Sequence, residues 1–288
     1  MYAVIEQLLS PGIFALSSVC EALDVSRAGF YAWRSEKESA RRRRDRELMR
    51  LVADTFWKHR RRYGARRIAV ELAAQGQRCG VDRVAKLLKN QGLRAIQPQA
   101  FKPRTTDSRH SLGYSPNLLR NAPLPDRVNR VWVADITYIP LANSRFAYLA
   151  MTMDLFSRRV VGWQLAESMG ESLILQALQQ AIRARQPGPD LIHHSDRGGQ
   201  YAGHAYRAVL RRASIRQSMS RAGNCYDNAF MESCFGTIKT ELEMTEYQHV
   251  IQAQTEIASY LAYYNTERRH SSLDYLSPYH FESLNKHP

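Results

Sequence analysis

The stretch from residue 131 to residue 154, VWVADITYIPLANSRFAYLAMTMD, decides the fold prediction for this chain. Its two apolar, β-branched and aromatic runs, 131–140 and 145–154, predict consecutive strands on either side of a polar turn. The residues that follow predict a third strand and then alternating helices and strands, at 158–165 (strand), 171–185 (helix), 190–196 (strand), 205–212 (helix), 215–219 (strand) and 229–241 (helix). We therefore expect an α/β domain built on one sheet.

Three carboxylates stand out within these elements. The order of three strands, helix, strand, helix, strand and helix is typical of a ribonuclease H-like sheet. On that layout Asp135 lies within the first strand, Asp196 at the end of the fourth, and Glu232 one turn into the last helix. A lone carboxylate inside an apolar strand is costly to bury without a partner, and a metal ion would supply one. We expect the three acids to converge at one edge of the sheet, although each alone would fit a surface charge or a helix cap.

Neighbouring residues extend this candidate site. Carboxylate oxygens suit Mg²⁺ or Mn²⁺, and two such ions can clamp the attacking and leaving oxygens of a phosphoryl transfer. His193 and His194 precede Asp196 and are either further metal ligands or packed strand residues. Lys239 follows Glu232 by seven residues, about two helical turns, so both project from one face of the helix. Lys239 is then either a contact to nucleic acid or a solvated lysine.

The positive charge of this 288-residue chain is concentrated in its first half. Residues 1–124 carry 24 Lys and Arg against 11 Asp and Glu, whereas residues 125–288 carry 17 against 16. Such an asymmetry favours a polyanionic partner, and nucleic acid is the natural one. Anionic membrane is the alternative, but no stretch is long and apolar enough to insert.

The basic half has helical periodicity. Residues 17–34 predict a helix-turn-helix whose second helix is capped by Ser26, and 38–62 predict one long helix with an apolar stripe. A second helical pair is predicted at 64–93, with Asp82 as a cap. The basic residues are either DNA contacts or solvated helix faces, and the candidates are Arg41, Arg42, Arg43, Arg44, Arg60, Arg61, Arg62, Arg83, Lys86 and Lys89.

Composition divides the chain into five segments. Prolines and polar residues mark an extended linker between the helical half and the sheet. The predicted segments are a helix-turn-helix-like segment (1–36), a basic helical DNA-binding domain (37–96), the linker (97–128), a ribonuclease H-like catalytic core (129–250), and a C-terminal helix and tail (251–288).

Six motifs, in order along nearly the whole chain, resemble the DDE transposases of bacterial insertion sequences, specifically the second-frame (OrfB) product of the IS-three family. The gap of 35 residues between Asp196 and Glu232 also matches that family. The motifs are FYAW (30–33), YGARRI (63–68), VWVADITYI (131–139), HSDRGGQY (194–201), SRAGNCYDNAFMESCFGTIKTE (220–241) and YNTERRHSSLDYLSP (264–278).

The resemblance implies a retroviral-integrase-like core in which Asp135, Asp196 and Glu232 hold two Mg²⁺ ions, with Mn²⁺ as a substitute. Lys239 corresponds to the basic residue that the family places seven after the glutamate. The implied function is metal-dependent DNA cleavage and strand transfer at insertion-sequence ends. The implied partners are double-stranded DNA of the ends and target, the upstream-frame transposase product, and further copies of this chain in synapsis.

No signal-peptide pattern opens the sequence, and its four cysteines form neither a CxxC pair nor a disulfide framework: Cys20, Cys79, Cys225 and Cys234. We therefore expect reduced thiols and a cytoplasmic protein that associates with the bacterial nucleoid. Two rival functions stay open: a non-catalytic DNA-binding regulator, and a general ribonuclease H-like nuclease. The intact carboxylates weigh against the first, and the linker with its basic helical modules weighs against the second.

Overall fold

The computed structural model describes residues 1–10, 12–35, 40–97, 113–220, 229–243 and 246–285, with the side chains of 40–42 outside that description. The chain forms two compact units, Met1–Arg94 and Ala95–Pro288. Cys225 and residues 98–112 of the predicted linker (97–128) lie outside the described residues. The division into five segments stays a prediction.

The first three helices form a small cluster, in which the second and third match the helix-turn-helix predicted at 17–34, whereas the first was not predicted. Ser26 caps the third helix, because its Oγ accepts a hydrogen bond of 3.0 Å from the backbone N–H of Gly29. Ile5, Val19 and Phe30 are buried where the helices meet. The helices are α1 (Tyr2–Leu9), α2 (Leu16–Ala22) and α3 (Arg27–Arg34).

The next three helices confirm the predicted helical pattern and correct two details. The helices are α4 (Ala40–Lys58), α5 (Ala65–Ala74) and α6 (Val81–Asn90). The apolar stripe of α4 is buried, with Leu48 and Val52 fully inaccessible. The prediction that this helix continues to residue 62 is wrong, because the positive φ angles of Arg60 (49°) and Arg61 (62°) turn the backbone after Lys58.

The second correction concerns the start of α6. Gly80 occupies the N-cap position with an extended φ and ψ, and no side chain caps the helix. Asp82, predicted as a cap, lies inside the first turn instead. Its carboxylate there still interacts favourably with the positive end of the helix dipole.

A five-stranded sheet forms the core of the second unit, in the order β3-β2-β1-β4-β5. The first three strands are antiparallel, whereas β4 and β5 run parallel to β1. This mixed sheet, with helices inserted after the third and fourth strands, confirms the predicted ribonuclease H-like fold class. The strands are β1 (Val131–Leu141), β2 (Arg145–Asp154), β3 (Val160–Ala166), β4 (Ile192–Ser195) and β5 (Arg216–Met219).

Among the described residues, six α-helices cover the sheet or follow it: α7 (Glu171–Arg185), α8 (Gly199–Ala202), α9 (His204–Arg212), α10 (Ala229–Glu241), α11 (Val250–Thr266) and α12 (Pro278–Leu284). Alternation along β1 divides the core into two layers. Val131 and Val133 pack in the layer that contains α10 and α11, whereas Trp132 and Ala134 pack in the layer with α7 and α9. Thus α11, which begins at Val250, packs in the same core as the sheet, whereas the predicted core segment ends at residue 250.

The described part of the chain has no helix with both the length and the apolar character needed to cross a membrane.

Candidate active site

Asp135 and Asp196 are brought together by the pairing of two parallel strands. In that pairing Val133 of β1 lies beside His194 of β4. If this register is continued by two residues in each strand direction, Asp135 and Asp196 become neighbours. Asp135 shares the face of Val133, which is the layer that contains α10. The sheet therefore places both carboxylates at one edge, on the side of the helix that carries Glu232.

A tight turn holds Asp196 immediately after β4. The backbone N–H of Gly198 donates a 2.9 Å hydrogen bond to Oδ1 of Asp196. A Cβ at Gly198 would lie only 3.1 Å from that oxygen and 3.0 Å from Oε1 of Gln200. A side chain at residue 198 would therefore crowd the carboxylate.

Electrostatic interactions connect all three acids. Burial raises the pKa of Asp135 well above its usual value, and the charge of Asp196 raises it further. The hydrogen bond from the backbone N–H of Ile136, 2.8 Å from Oδ1, opposes these effects, and the charge of Glu232 adds a smaller increase. Asp135 therefore lies close to two further negative charges, and a bound cation would offset their repulsion.

The described residues include no group of three His, Cys, Asp or Glu side chains arranged to hold one metal ion. Glu232 is exposed in the first turn of α10, and residues 221–228 before it lie outside the described ranges. Convergence of the three acids on a shared ion therefore stays a prediction. Asp135 and Asp196 nevertheless fit a divalent cation, because they are neighbouring carboxylates. The raised pKa of Asp135 shows that its charged form is unfavourable without a nearby positive charge.

Tyr201 is a further polar group near these carboxylates. It is 2% exposed, and its hydroxyl has no hydrogen-bond partner among the residues that the structure describes. Burial raises its pKa well above the usual value, and the charges of Tyr206, Asp135 and Asp196 add to that increase. The sequence prediction missed this residue, although it closes the quoted HSDRGGQY motif.

The two histidines beside Asp196 are packed and hydrogen-bonded. His193 is fully buried, and its Nε2 lies 3.0 Å from the hydroxyl of Tyr206. Burial, and then the charge of His194, lower the pKa of His193 to about 3, so its ring is neutral at physiological pH. His194 lies 2.8 Å from Oγ of Ser218 through Nδ1 and 3.1 Å from Oγ of Ser220 through Nε2. Their geometry therefore favours the packing interpretation.

Lys239 lies close to the strand that carries Asp135. Its Nζ is 4.3 Å from the centroid of the Tyr138 ring, a cation–π contact between α10 and β1. Burial lowers the pKa of Lys239, because a half-buried ammonium is less well solvated than a free one. Its position beside β1 is compatible with the predicted DNA contact and disfavours a fully solvated lysine.

The basic residues of the first unit differ in their surroundings. Nε of Arg83 donates a 2.8 Å hydrogen bond to Oδ1 of Asp45, and Nη2 of Arg44 donates one of 2.7 Å to Oε1 of Gln77. Lys86 and Lys89 are exposed on α6. Of the remaining candidates, Arg43 and Arg60 are exposed, Arg61 and Arg62 are half-buried, and the side chains of Arg41 and Arg42 lie outside the description.

Family models match both units of the chain. Two models described as "Integrase core domain" match residues 125–225 and 213–278. A model described as "HTH-like domain" matches residues 43–101, which include the predicted helical pair at 64–93. The second integrase match extends beyond residue 250, in agreement with the packing of α11 against the sheet.

Similar proteins match over nearly their whole length. The "Insertion element IS600 uncharacterized 31 kDa protein" of Shigella sonnei is 40% identical over 262 residues, which are 90% of this chain and 96% of that protein. "Transposase InsF for insertion sequence IS3A" of Escherichia coli strain K12 is 38% identical over 278 residues, which are 94% of this chain and 95% of the relative.

Among solved structures, the catalytic core domain of HTLV-2 integrase in complex with magnesium is 16% identical, with a TM-score of 0.44 over 55% of this chain and 98% of that chain. A simian T-cell lymphotropic virus intasome in complex with the PP2A regulatory subunit B56 gamma is 16% identical, with a TM-score of 0.47 over 83% and 76% of the two chains. Because these TM-scores are below 0.5, the fold is assigned from the strand order and the family models.

Proposed function

We propose that this chain, which belongs to the IS-three family of insertion-sequence transposases, cleaves DNA at the ends of its element and joins the freed ends to a target. The observation that carries the proposal is the parallel register that brings Asp135 beside Asp196, together with the influence of Asp196 and Glu232 on the pKa of Asp135. Like charges are costly to hold together unless a cation is bound.

The three acids would be the metal ligands of this reaction. Asp135, Asp196 and Glu232 would hold two Mg²⁺ ions, and Mn²⁺ would substitute because it prefers the same oxygen ligands. When bound, the ions would supply charge neutralisation at the attacking and leaving oxygens. The protein contributes fixed positions: a strand for Asp135, the Gly198 turn for Asp196, and a helix for Glu232.

The proposed reaction has two phosphoryl-transfer steps. A water oxygen attacks the phosphorus at the element end, and the bond to the 3′ oxygen breaks, so that the element keeps a 3′-hydroxyl and the flank keeps a 5′-phosphate. That 3′-hydroxyl then attacks a target phosphodiester and displaces another 3′ oxygen. Neither step needs a covalent bond to a protein side chain, so positioning and charge neutralisation account for catalysis. Lys239, beside β1, would hold a phosphate of the cut end.

The proposed partners follow from the charge distribution and the family. The helical first unit would bind duplex DNA, since residues 1–94 carry 20 Lys and Arg against 10 Asp and Glu, a net charge of +10. The product of the upstream frame would join the complex, and several copies of the chain would assemble in synapsis. Such a protein would act in the cytoplasm, at the nucleoid.

A cleavage assay tests the proposal. Labelled duplexes with candidate element ends are incubated with the chain, with and without the upstream-frame product, in Mg²⁺ or in EDTA. We expect Mg²⁺-dependent cleavage that Asp135→Ala, Asp196→Ala or Glu232→Ala each abolishes, whereas DNA binding persists. Glu167→Ala is the matched control, because this acid is exposed at the end of β3 and pairs with Arg145.

The same assay separates the rival functions. DNA binding without cleavage by the wild-type chain in the full mixture would identify a non-catalytic regulator. Cleavage of end-containing and unrelated duplexes at equal rates would identify a general nuclease. Substantial activity in any one of the three alanine variants would refute the shared site.

A further inference from the structure

The helix that carries Glu232 ends at a buried ion pair. Nε of Arg268 donates hydrogen bonds of 3.0 and 2.9 Å to the two carboxylate oxygens of Glu241, and Nη2 donates one of 2.6 Å to Oε1. The hydroxyl of Tyr260, on α11, donates a further 3.0 Å bond to Oε2. The Arg268 and Glu241 side chains are only 5% and 7% exposed. Three segments of the chain therefore meet at the last residue of α10.

This pair is held in a fixed geometry. Burial alone would lower the pKa of Arg268, but the hydrogen bonds and the charge of Glu241 reverse that effect and raise it. Nη1 of Arg268 also donates a 3.3 Å hydrogen bond to Nε2 of His270. Buried ion pairs contribute little net stability compared with apolar packing. What distinguishes them is their directionality, because they bind only in one relative orientation of the two side chains. A two-pronged Arg–carboxylate contact fixes both the rotation and the axial position of the helix that carries it.

The rest of the buried face of α10 is apolar, with Met231, Cys234, Phe235 and Ile238 packed in the core. Apolar contacts are non-directional and favour burial without fixing a helix rotation sharply. Glu241 follows Glu232 by nine residues, and at about 100° per residue the two lie on opposite sides of the helix. A rotation of α10 that released Glu241 would therefore displace Glu232 by a similar angle.

We infer that Glu241 and Arg268 are positioning residues, which set the orientation of α10 and thereby place Glu232 and Lys239 for the reaction. This inference rests on the proposed function. Neither residue touches the reacting atoms: both act through the helix. The inference gives a role to the quoted YNTERRH stretch, whose Arg268 reaches back 27 residues in the chain to Glu241.

The chain provides a matched control in a second buried ion pair. Glu282, on α12, accepts hydrogen bonds of 2.8 Å from Nη1 and from Nη2 of Arg185, on α7. Its side chain is 8% exposed, close to the 7% of Glu241. Glu241→Gln and Glu282→Gln thus make the same chemical change in two buried, arginine-paired carboxylates, of which Glu282 also accepts hydrogen bonds from Ser157 and Arg159. Only the first alters a contact of α10.

The test compares these two variants of the full chain at a temperature where thermal denaturation shows both to be folded. We expect both to lose stability. Glu241→Gln alone should speed amide hydrogen exchange in the first turns of α10, by about tenfold, as for the loss of one buried charged hydrogen-bond partner. It should also lower the single-turnover cleavage rate at saturating DNA by about tenfold to a hundredfold, with DNA affinity unchanged.

A milder variant protects the test against misfolding. Arg268→Lys keeps the charge but loses the two-pronged contact, so it should fall between wild type and Glu241→Gln in both exchange and cleavage. Equal effects of Glu241→Gln and Glu282→Gln on α10 exchange and on cleavage would overturn the inference. Amide exchange is measured without turnover, so it tests whether Glu241 holds α10 in place even if the wild-type chain does not cleave DNA. Absence of cleavage by the wild-type chain would refute the proposed function and not this inference.

Discussion

The salt dependence of DNA binding should distinguish three basic residues that sequence alone treats as equivalent. Arg83, Lys86 and Lys89 are spaced by three along α6 and all three are exposed, but Arg83 is paired with Asp45 of α4. A cation already paired with a carboxylate releases few counterions when DNA binds. We therefore predict that Lys86 and Lys89 contact phosphates and that Arg83 does not.

The expected magnitude follows from counterion release. Each phosphate contact contributes about −0.9 to the slope of log affinity against log salt, so Lys86→Ala/Lys89→Ala should make the slope shallower by about 1.8. Between about 50 and 200 mM salt, the wild-type chain should then lose about twelvefold more affinity than this variant loses. Removing Arg83 together with Asp45 leaves the net charge unchanged and should leave the slope unchanged.

Fluorescence anisotropy measures both variants, with the full chain titrated into a labelled duplex at several salt concentrations. The double variant Arg83→Ala/Asp45→Ala is the control for a change of two residues in this unit. The reasoning is refuted if that control makes the slope shallower by as much as the lysine variant does. A slope that the lysine variant leaves unchanged would mean that α6 presents a solvated face.

Three further predictions concern single residues. Lys239→Ala should slow the joining of a pre-cut end more than the initial cleavage, when both steps are assayed in parallel. It should also reduce the slope of log affinity against log salt for binding to that end by about one unit. Joining at the wild-type rate would contradict this prediction. Ser26→Ala should lower the free energy of unfolding by about 1 kcal/mol and speed amide exchange in α3, because the cap to Gly29 is lost; unchanged exchange would argue against the cap. His193 has a pKa of about 3 in the native chain against 6.5 when exposed, so the native state binds fewer protons than the unfolded state between these values. The free energy of unfolding should therefore fall by about 1.4 kcal/mol for each pH unit below 6.5, and His193→Gln should remove that dependence in urea denaturation; parallel pH profiles would count against it.

The sheet could be predicted because each strand has a local signal. The apolar runs of β1 and β2 and the change to helical periodicity at α7 reflect burial that the sequence displays directly. Asp135 within β1 and Asp196 directly after β4 could be expected to lie together for the same reason, since strand order decides which side chains are neighbours.

The remaining features depend on contacts between residues that are distant in the chain. The pair between Arg83 and Asp45 spans 38 residues, and the pair between Arg268 and Glu241 spans 27, so no local pattern indicates either. The end of α4 was misplaced because the positive φ of Arg60 depends on the turn that joins two packed helices, not on helix propensity.

The central claim is that Asp135, Asp196 and Glu232 form one metal site. A titration of Mn²⁺ into the chain bound to a pre-cut element end, followed by electron paramagnetic resonance, tests this most directly. The variants Asp135→Asn, Asp196→Asn and Glu232→Gln remove one charge each and preserve side-chain volume. We predict that wild type binds two ions and that each variant loses at least one of them. Wild-type stoichiometry and affinity in any of the three variants would contradict the shared site.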